Sequence, residues 1–284
     1  MKKFLPLVAV IMLSISGFSQ NSAPVYLWPG IVPGETGGKH EPVQTPNREG
    51  DVIRLTDISN PAFFVFKPVK EKSIGVGIVV CPGGGYSILA FDKEGTEIAQ
   101  WLVKQGITAF VLQYRVPKKR EGALMDAQRA IRMIRKNAAT YGINSNKLGI
   151  MGFSAGGSLS ARTATLFATR TYAPVDQTDS ISCRPDFVLL IYPAYLDQGT
   201  NRSLTPELTI DKNTPPMFLF ATADDSWGNS ALVMATALRD AKVPAEMHLM
   251  AKGGHGYGLR PGNIAAETWP GLAEIWLKNI IDRH

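Results

Sequence analysis

The order of the apolar runs predicts an α/β fold: a mostly parallel, eight-stranded sheet with helices on both faces. Three observations carry this expectation. From residue 74 onward, short apolar stretches such as IGVGIVVC and ITAFVLQY alternate with longer amphipathic ones. The apolar stretches show no polar alternation, as expected of strands buried on both sides. Two of the amphipathic stretches end at Gly106 and Gly142, and glycine is the residue best suited to close a helix.

Lys2-Lys3, the apolar run Phe4 to Ile15 and the small residues around Gly17-Phe18-Ser19 form the three regions of a secretory signal peptide. Residues 1–19 are therefore expected to be a leader and residues 20–284 a single domain, exported to the periplasm or secreted. The run is too short for a comfortable membrane span. No stable membrane insertion is expected after cleavage.

Residues 21–50, rich in Pro and Gly, are expected to wrap the surface. Val52–Thr56 and Ala62–Phe66 flank Asn60-Pro61 and read as an antiparallel edge hairpin. Ile74–Cys81 reads as a strand, Glu94–Gln105 as a helix with Ile98, Trp101 and Leu102 on its apolar face, and Ile107–Tyr114 as the next strand. Asp126 is a good N-cap for a helix over Ala127–Tyr141. Lys147–Met151, Asp186–Tyr192, Met217–Ala221 and Ala245–Ala251 complete the strands. Ala155–Ala168, Ala231–Lys242 and Leu272–Arg283 complete the helices. Residues 169–184 and 194–215 carry no core pattern.

Composition narrows the function classes. With 45% apolar and 19% charged residues over 284 positions, the chain can bury a large core. Two Cys and four His exclude a disulfide scaffold and leave little material for a metal centre, so no cofactor is expected. Cys81 and Cys183 are expected to be unpaired. The formal net charge of +6 is dispersed. Arg129, Arg132, Arg135 and Lys136 recur at helical spacing and read as a solvated face. No basic stripe with aromatic platforms is present, so no nucleic-acid partner is expected.

Gly152-Phe153-Ser154-Ala155-Gly156 is a Gly-x-Ser-x-Gly motif between the strand KLGIM and a helix. A sharp strand-to-helix turn there would lift the Ser154 hydroxyl above the sheet edge as a nucleophile, and the flanking glycines allow the chain to pass close to its neighbours. Cys81-Pro82-Gly83-Gly84-Gly85-Tyr86 follows an apolar strand directly. Gly84 or Gly85, with Ala155, is expected to offer N–H groups to an oxyanion, each donor worth about 2.7–4 kcal/mol. His255, between glycines in Gly253-Gly254-His255-Gly256-Tyr257-Gly258, is the expected base. Asp224-Asp225 follows another apolar strand and supplies the acid from one of its two carboxylates. With Asp225 the chain order is Ser154, Asp225, His255, the order of α/β-hydrolases.

These motifs carry a resemblance. CPGGGY, GFSAGG, IYPAYL, ATADD and GGHGYGLR, in this order over residues 24–284, resemble the exported acetyl-xylan-esterase-like carbohydrate esterases of the α/β-hydrolase fold. The resemblance implies a Ser-His-Asp triad and hydrolysis of acetyl or feruloyl esters on polysaccharides, or of small esters. It favours Asp225 over Asp224, although Ser226-Trp227-Gly228 replaces the family's usual turn, and Cys-Pro stands where the family carries His before its glycines. Tyr86, Tyr195, Trp227 and Tyr257 lie in the motif loops, where an aromatic ring can stack on a sugar or phenolic group. Two rival readings are a serine exopeptidase of prolyl-oligopeptidase type, and a catalytically silent hydrolase fold that binds carbohydrate.

Overall fold

Runs without polar alternation form the centre of the sheet. The computed structural model describes residues 23–46 and 51–282, so the expected leader, residues 1–19, lies outside the described residues. In chain order the strands are β1 (Val25–Tyr26), β2 (Val43–Gln44), β3 (Arg54–Thr56), β4 (Ala62–Phe66), β5 (Gly77–Cys81), β6 (Leu89–Ala90), β7 (Thr108–Gln113), β8 (Leu148–Phe153), β9 (Val188–Ile191), β10 (Met217–Thr222) and β11 (Ala245–Met250). The helices are α1 (Glu97–Lys104), α2 (Arg120–Lys136), α3 (Ala138–Tyr141), α4 (Ala155–Thr165), α5 (Asn229–Asp240) and α6 (Ile264–Ile281).

The main sheet has eight strands in the order β1-β4-β7-β5-β8-β9-β10-β11. From β7 to β11 all neighbours pair in parallel, and β4 alone runs against its neighbours. Every residue of β5, β7, β8, β9 and β10 is buried. Alternate side chains serve opposite faces. Val79 and Cys81 of β5 pack with α2, α4 and α5 on one side. Ile78 and Val80 pack with α1 and α6 on the other. Helices thus cover both faces, and all the parallel strands end at one rim. Among the described residues no helix is long and apolar enough to cross a membrane.

Several expectations change. Val52–Thr56 and Ala62–Phe66 do not form a hairpin. β3 pairs with β2 and β6 in a separate three-stranded sheet, and β4 takes β1 as its outer partner. The connecting residues are tied to other segments: Ile58 N–H donates to Val116 O at 3.0 Å, and Leu27 N–H donates to Pro61 O at 3.0 Å. Asp57 adopts φ 50°, which turns the chain from one sheet to the other.

Asp126 is not an N-cap, because α2 begins at Arg120. It is fully buried within the helix, accepting from Arg115 Nε at 2.9 Å and Trp28 Nε1 at 2.8 Å. Nor do Arg129, Arg132 and Arg135 face solvent. They hold the irregular segment that precedes β9. Arg129 pairs with Asp176 and with Asp179 at 3.0 Å. Arg132 donates to Ile181 O at 3.1 Å, and Arg135 to Ser182 O and Arg184 O at 2.8 Å. Those carbonyls have no strand partner, and guanidinium groups satisfy them instead.

The last helix starts at Ile264, not Leu272, with the Asn263 side chain as N-cap and Pro270 inside it. An internal proline costs about 3 kcal/mol. Burial of Ala265, Ala266, Trp269, Ala273, Trp276 and Leu277 on one face outweighs that cost. The helix expected from Glu94 opens with a π-helical turn, Asp92–Thr96, before α1. Cys81 and Cys183 are unpaired and buried. Burial pushes the Cys81 thiol up to about 12.

Candidate active site

The site stands where β5, β8, β10 and β11 end, the rim at which parallel α/β sheets place their ligands. Ser154 follows β8 in a strained conformation, φ 51° and ψ −117°. Its backbone is held from both sides: its N–H donates to Ile191 O at 3.2 Å, and its carbonyl accepts from Ala194 N–H at 3.1 Å. The turn needs its two glycines for space. A Cβ on Gly152 would lie 2.0 Å from Gly156 O, and one on Gly156 would lie 2.0 Å from Cys81 O.

His255 hangs in the loop after β11. Its Nε2 lies 2.7 Å from Ser154 Oγ, and its Nδ1 lies 2.7 Å from Asp225 Oδ2. The Asp225 side chain is 1% exposed and that of His255 is 28% exposed, so the chain of contacts runs from a dry carboxylate to an accessible hydroxyl. The other oxygen of Asp225 accepts Trp227 N–H at 2.9 Å. Asp224 points elsewhere. It accepts Gly254 N–H at 2.9 Å and Gly253 N–H at 3.2 Å, and these bonds hold its carboxyl below the ordinary value. The two adjacent carboxylates thus divide the work: Asp225 meets the imidazole and Asp224 anchors the loop that carries it. Thr222 Oγ1 adds a bond to Gly254 O at 2.8 Å.

The glycine loop after β5 packs against Ser154. Gly84 has φ 132°, where a Cβ would strike Ile88 O at 2.2 Å, and Gly85 has φ 64°. The N–H groups of Gly84, Gly85 and Ala155 donate to no other group among the described residues. Ala155 is the first residue of α4, so its N–H also lies at the positive end of that helix.

A family model described as BD-FAE matches residues 64–179, a stretch that includes the glycine loop and Ser154. An acetylxylan esterase of Xylanibacter ruminicola is 30% identical over 233 residues, covering 73% of this chain and 46% of that protein. An endo-1,4-beta-xylanase B of Butyrivibrio fibrisolvens is 36% identical over 205 residues, covering 63% of this chain and 32% of that protein. The chain spans about half or less of the length of these curated relatives. The crystal structure of an acetyl ester-xyloside bifunctional hydrolase from Caldicellulosiruptor lactoaceticus is 30% identical, with a TM-score of 0.74, covering 91% of this chain and 96% of that one. The chain belongs to the acetyl-xylan-esterase-like carbohydrate esterases of the α/β-hydrolase fold.

The aromatic residues of this esterase-family site separate into two groups. Tyr195 and Trp227 are half-buried and meet edge to face, with centroids 4.7 Å apart. Tyr86 lies 6.1 Å from Tyr195, and the Arg120 guanidinium stands over both rings at 5.2 and 5.6 Å. Tyr86 itself is buried, so it supports this wall from beneath. Tyr257 does not fit the expected substrate-facing role. It is buried against Tyr192, 4.4 Å away, and packs into the core below the histidine loop because Gly256 and Gly258 turn the chain inward on either side.

Two residues of the site were not anticipated. Glu94 is buried, and its oxygens accept Gly83 N–H at 2.7 Å and the Tyr192 hydroxyl at 2.9 Å. Tyr192 adopts φ 37° and lies edge-on to His255, with centroids 5.1 Å apart. The available signal was a glutamate followed by Gly95, close behind a glycine loop. A second signal was a tyrosine at the end of an apolar strand.

Proposed function

We propose that the protein is a serine carboxylesterase that removes acyl groups, acetyl above all, from xylan-type polysaccharides or oligosaccharides. The unbroken contact from Asp225 through His255 to Ser154, with both links at 2.7 Å, carries the reading. His255, with its proton on Nδ1 directed at Asp225, takes the Ser154 proton on Nε2. The serine oxygen attacks the acyl carbonyl, and the N–H groups of Gly84, Gly85 and Ala155 receive the developing oxyanion. Collapse of the intermediate expels the sugar hydroxyl, which takes its proton from His255. Water, activated by the same imidazole, then releases the acid from the acyl-enzyme. The aromatic pair Tyr195 and Trp227 offers a stacking face for a sugar ring or a feruloyl group. The names of the relatives support xylan-related substrates. With the signal-like first nineteen residues, they support an exported enzyme, and the single eight-stranded sheet supports reading residues 20–284 as one domain.

The test is release of acetate and ferulate from native acetylated and feruloylated xylans, set beside hydrolysis of p-nitrophenyl acetate and of peptide anilides. Acetate release that disappears in Ser154→Ala supports the reading. Wild-type turnover in Ser154→Ala, or cleavage of anilides in preference to esters, defeats it.

A further inference from the structure

Glu94 takes no part in the chemistry proposed above, yet it is 4% exposed and stands beside the site. It belongs to the π-helical turn Asp92–Thr96. Such a turn widens the helix by one residue, and π turns concentrate at functional sites. The two oxygens of Glu94 reach two different loops. Oε2 accepts the Gly83 N–H at 2.7 Å, one residue before the proposed oxyanion donors. Oε1 accepts the Tyr192 hydroxyl at 2.9 Å. That hydroxyl in turn accepts the Gly258 N–H at 3.0 Å, three residues after His255.

The packing around these bonds is tight. A Cβ on Gly83 would lie 2.5 Å from Glu94 Oε2 and 2.9 Å from Ser154 Cβ. One on Gly258 would lie 3.0 Å from Lys93 O, in the same π turn. The Gly83 N–H, Tyr192 O–H and Gly258 N–H each have one acceptor among the described residues. Burial raises the Glu94 carboxyl above its ordinary value, and the Tyr192 hydroxyl and the Gly83 N–H offset only part of that rise.

We propose that Glu94 is a positioning residue that ties the glycine loop to the histidine loop, so that the oxyanion donors and the base face the same carbonyl carbon. The proposal rests on the serine-esterase reading of the site. Glu94 acts through Gly83 on one arm and through Tyr192 and Gly258 on the other, and it touches no substrate. A misplacement of about 1 Å at a site of this kind can cost about a hundredfold in rate.

The experiment compares Glu94→Gln, Tyr192→Phe and the double variant with wild type, using p-nitrophenyl acetate, a trifluoromethyl ketone and its methyl ketone isostere. Glutamine keeps the shape, and its oxygen must face the Gly83 N–H, which can only donate; its NH2 group then turns to the Tyr192 oxygen, so the Tyr192 O–H loses its acceptor and the histidine arm is weakened. Glu94→Gln is expected to lower kcat by about 10- to 100-fold with KM within about twofold. The trifluoromethyl ketone, which forms an oxyanion on Ser154, should lose affinity in step with kcat/KM, while the methyl ketone should not. A merely structural role would not separate the two ketones. Tyr192→Phe removes the same histidine arm and should cost about as much. The double variant should fall no further than Glu94→Gln alone, because both changes cut one chain of contacts.

Wild-type kcat in a folded Glu94→Gln variant, or losses that multiply in the double variant, overturn the proposal. Should Glu94→Gln fail to fold, Tyr192→Phe carries the test, and wild-type kcat there overturns it equally. A wild-type enzyme whose Ser154 resists a fluorophosphonate overturns the serine-esterase reading and this proposal together. Labelling at Ser154 with unchanged variants overturns this proposal alone.

Discussion

Asp225→Asn should nearly abolish ester hydrolysis, and the reason lies in the count of acceptors. Both oxygens of Asp225 are used, one by Trp227 N–H at 2.9 Å and one by His255 Nδ1 at 2.7 Å. Asparagine offers one carbonyl oxygen and one NH2 group. If the oxygen keeps Trp227, the NH2 group faces Nδ1 and moves the imidazole proton to Nε2, where it cannot accept the serine proton. If the oxygen keeps His255, two donors face each other at a site whose side chain is 1% exposed. A buried unsatisfied donor costs about 1–3 kcal/mol, so the unproductive orientation wins by about 5- to 150-fold. Loss of the negative charge that steadies the imidazolium adds to this. The same exchange in the serine protease template lowers kcat by about 10⁴, or about 5 kcal/mol of barrier. The assay is kcat/KM for p-nitrophenyl acetate, with Asp224→Asn in parallel and a thermal melt of each variant. An Asp225→Asn enzyme within tenfold of wild type, beside a crippled Asp224→Asn enzyme, would refute the reasoning and move the acid to Asp224.

Other outcomes follow from the same structure. Asp224→Asn should lose less than about tenfold in kcat/KM, since it loosens a loop anchor and leaves the imidazole partner in place. The Asp224 carboxyl is held below its ordinary value of 3.8, so its anchoring of Gly253 and Gly254 is complete above that value. The anchor is lost as pH falls through the lower folded value, which a hydrogen-exchange measurement on this loop between pH 6 and acid should register. Neither Cys81 nor Cys183 should react with Ellman's reagent at pH 8 in the native protein, because both are buried and the Cys81 thiol is raised to about 12. Both should react in denaturant. Arg129→Ala should destabilise the fold by about 3–5 kcal/mol in urea melts, because it removes the guanidinium paired with the buried Asp179 carboxylate and leaves only the Tyr172 hydroxyl and the Val175 N–H to hold that charge. Its kcat should stay near wild type if the protein folds.

The legible parts of this chain are those whose physics is local. Gly152 and Gly156 are required by close contacts within a few residues of Ser154 or across one strand pair, and the strands of the sheet centre are read from continuous burial. The misread parts depend on what meets a polar face. Periodicity marks Arg129, Arg132 and Arg135 as opposite the apolar stripe, but only the fold brings an irregular segment over them, whose Asp176 and Asp179 meet Arg129 and whose open carbonyls meet Arg132 and Arg135. Asp126 looks like a cap because aspartate is rare inside helices, and its partner Trp28 lies 98 residues away. Glu94 has the same difficulty, since Tyr192 is also 98 residues distant. β1 is two residues long and carries no pattern at all. The choice between Asp224 and Asp225 is a matter of which carboxylate the turn aims at His255, and Trp227 N–H, bonded to Asp225, helps to set that aim.

The central claim is that Ser154 is an activated nucleophile. Treating the wild-type enzyme with a fluorophosphonate and mapping the adduct by peptide mass spectrometry tests it most directly. The account predicts one adduct per chain, on Ser154, formed in step with the loss of esterase activity and greatly slowed in Asp225→Asn. An adduct on another residue, or full hydrolysis by an enzyme whose Ser154 stays unmodified, would contradict it.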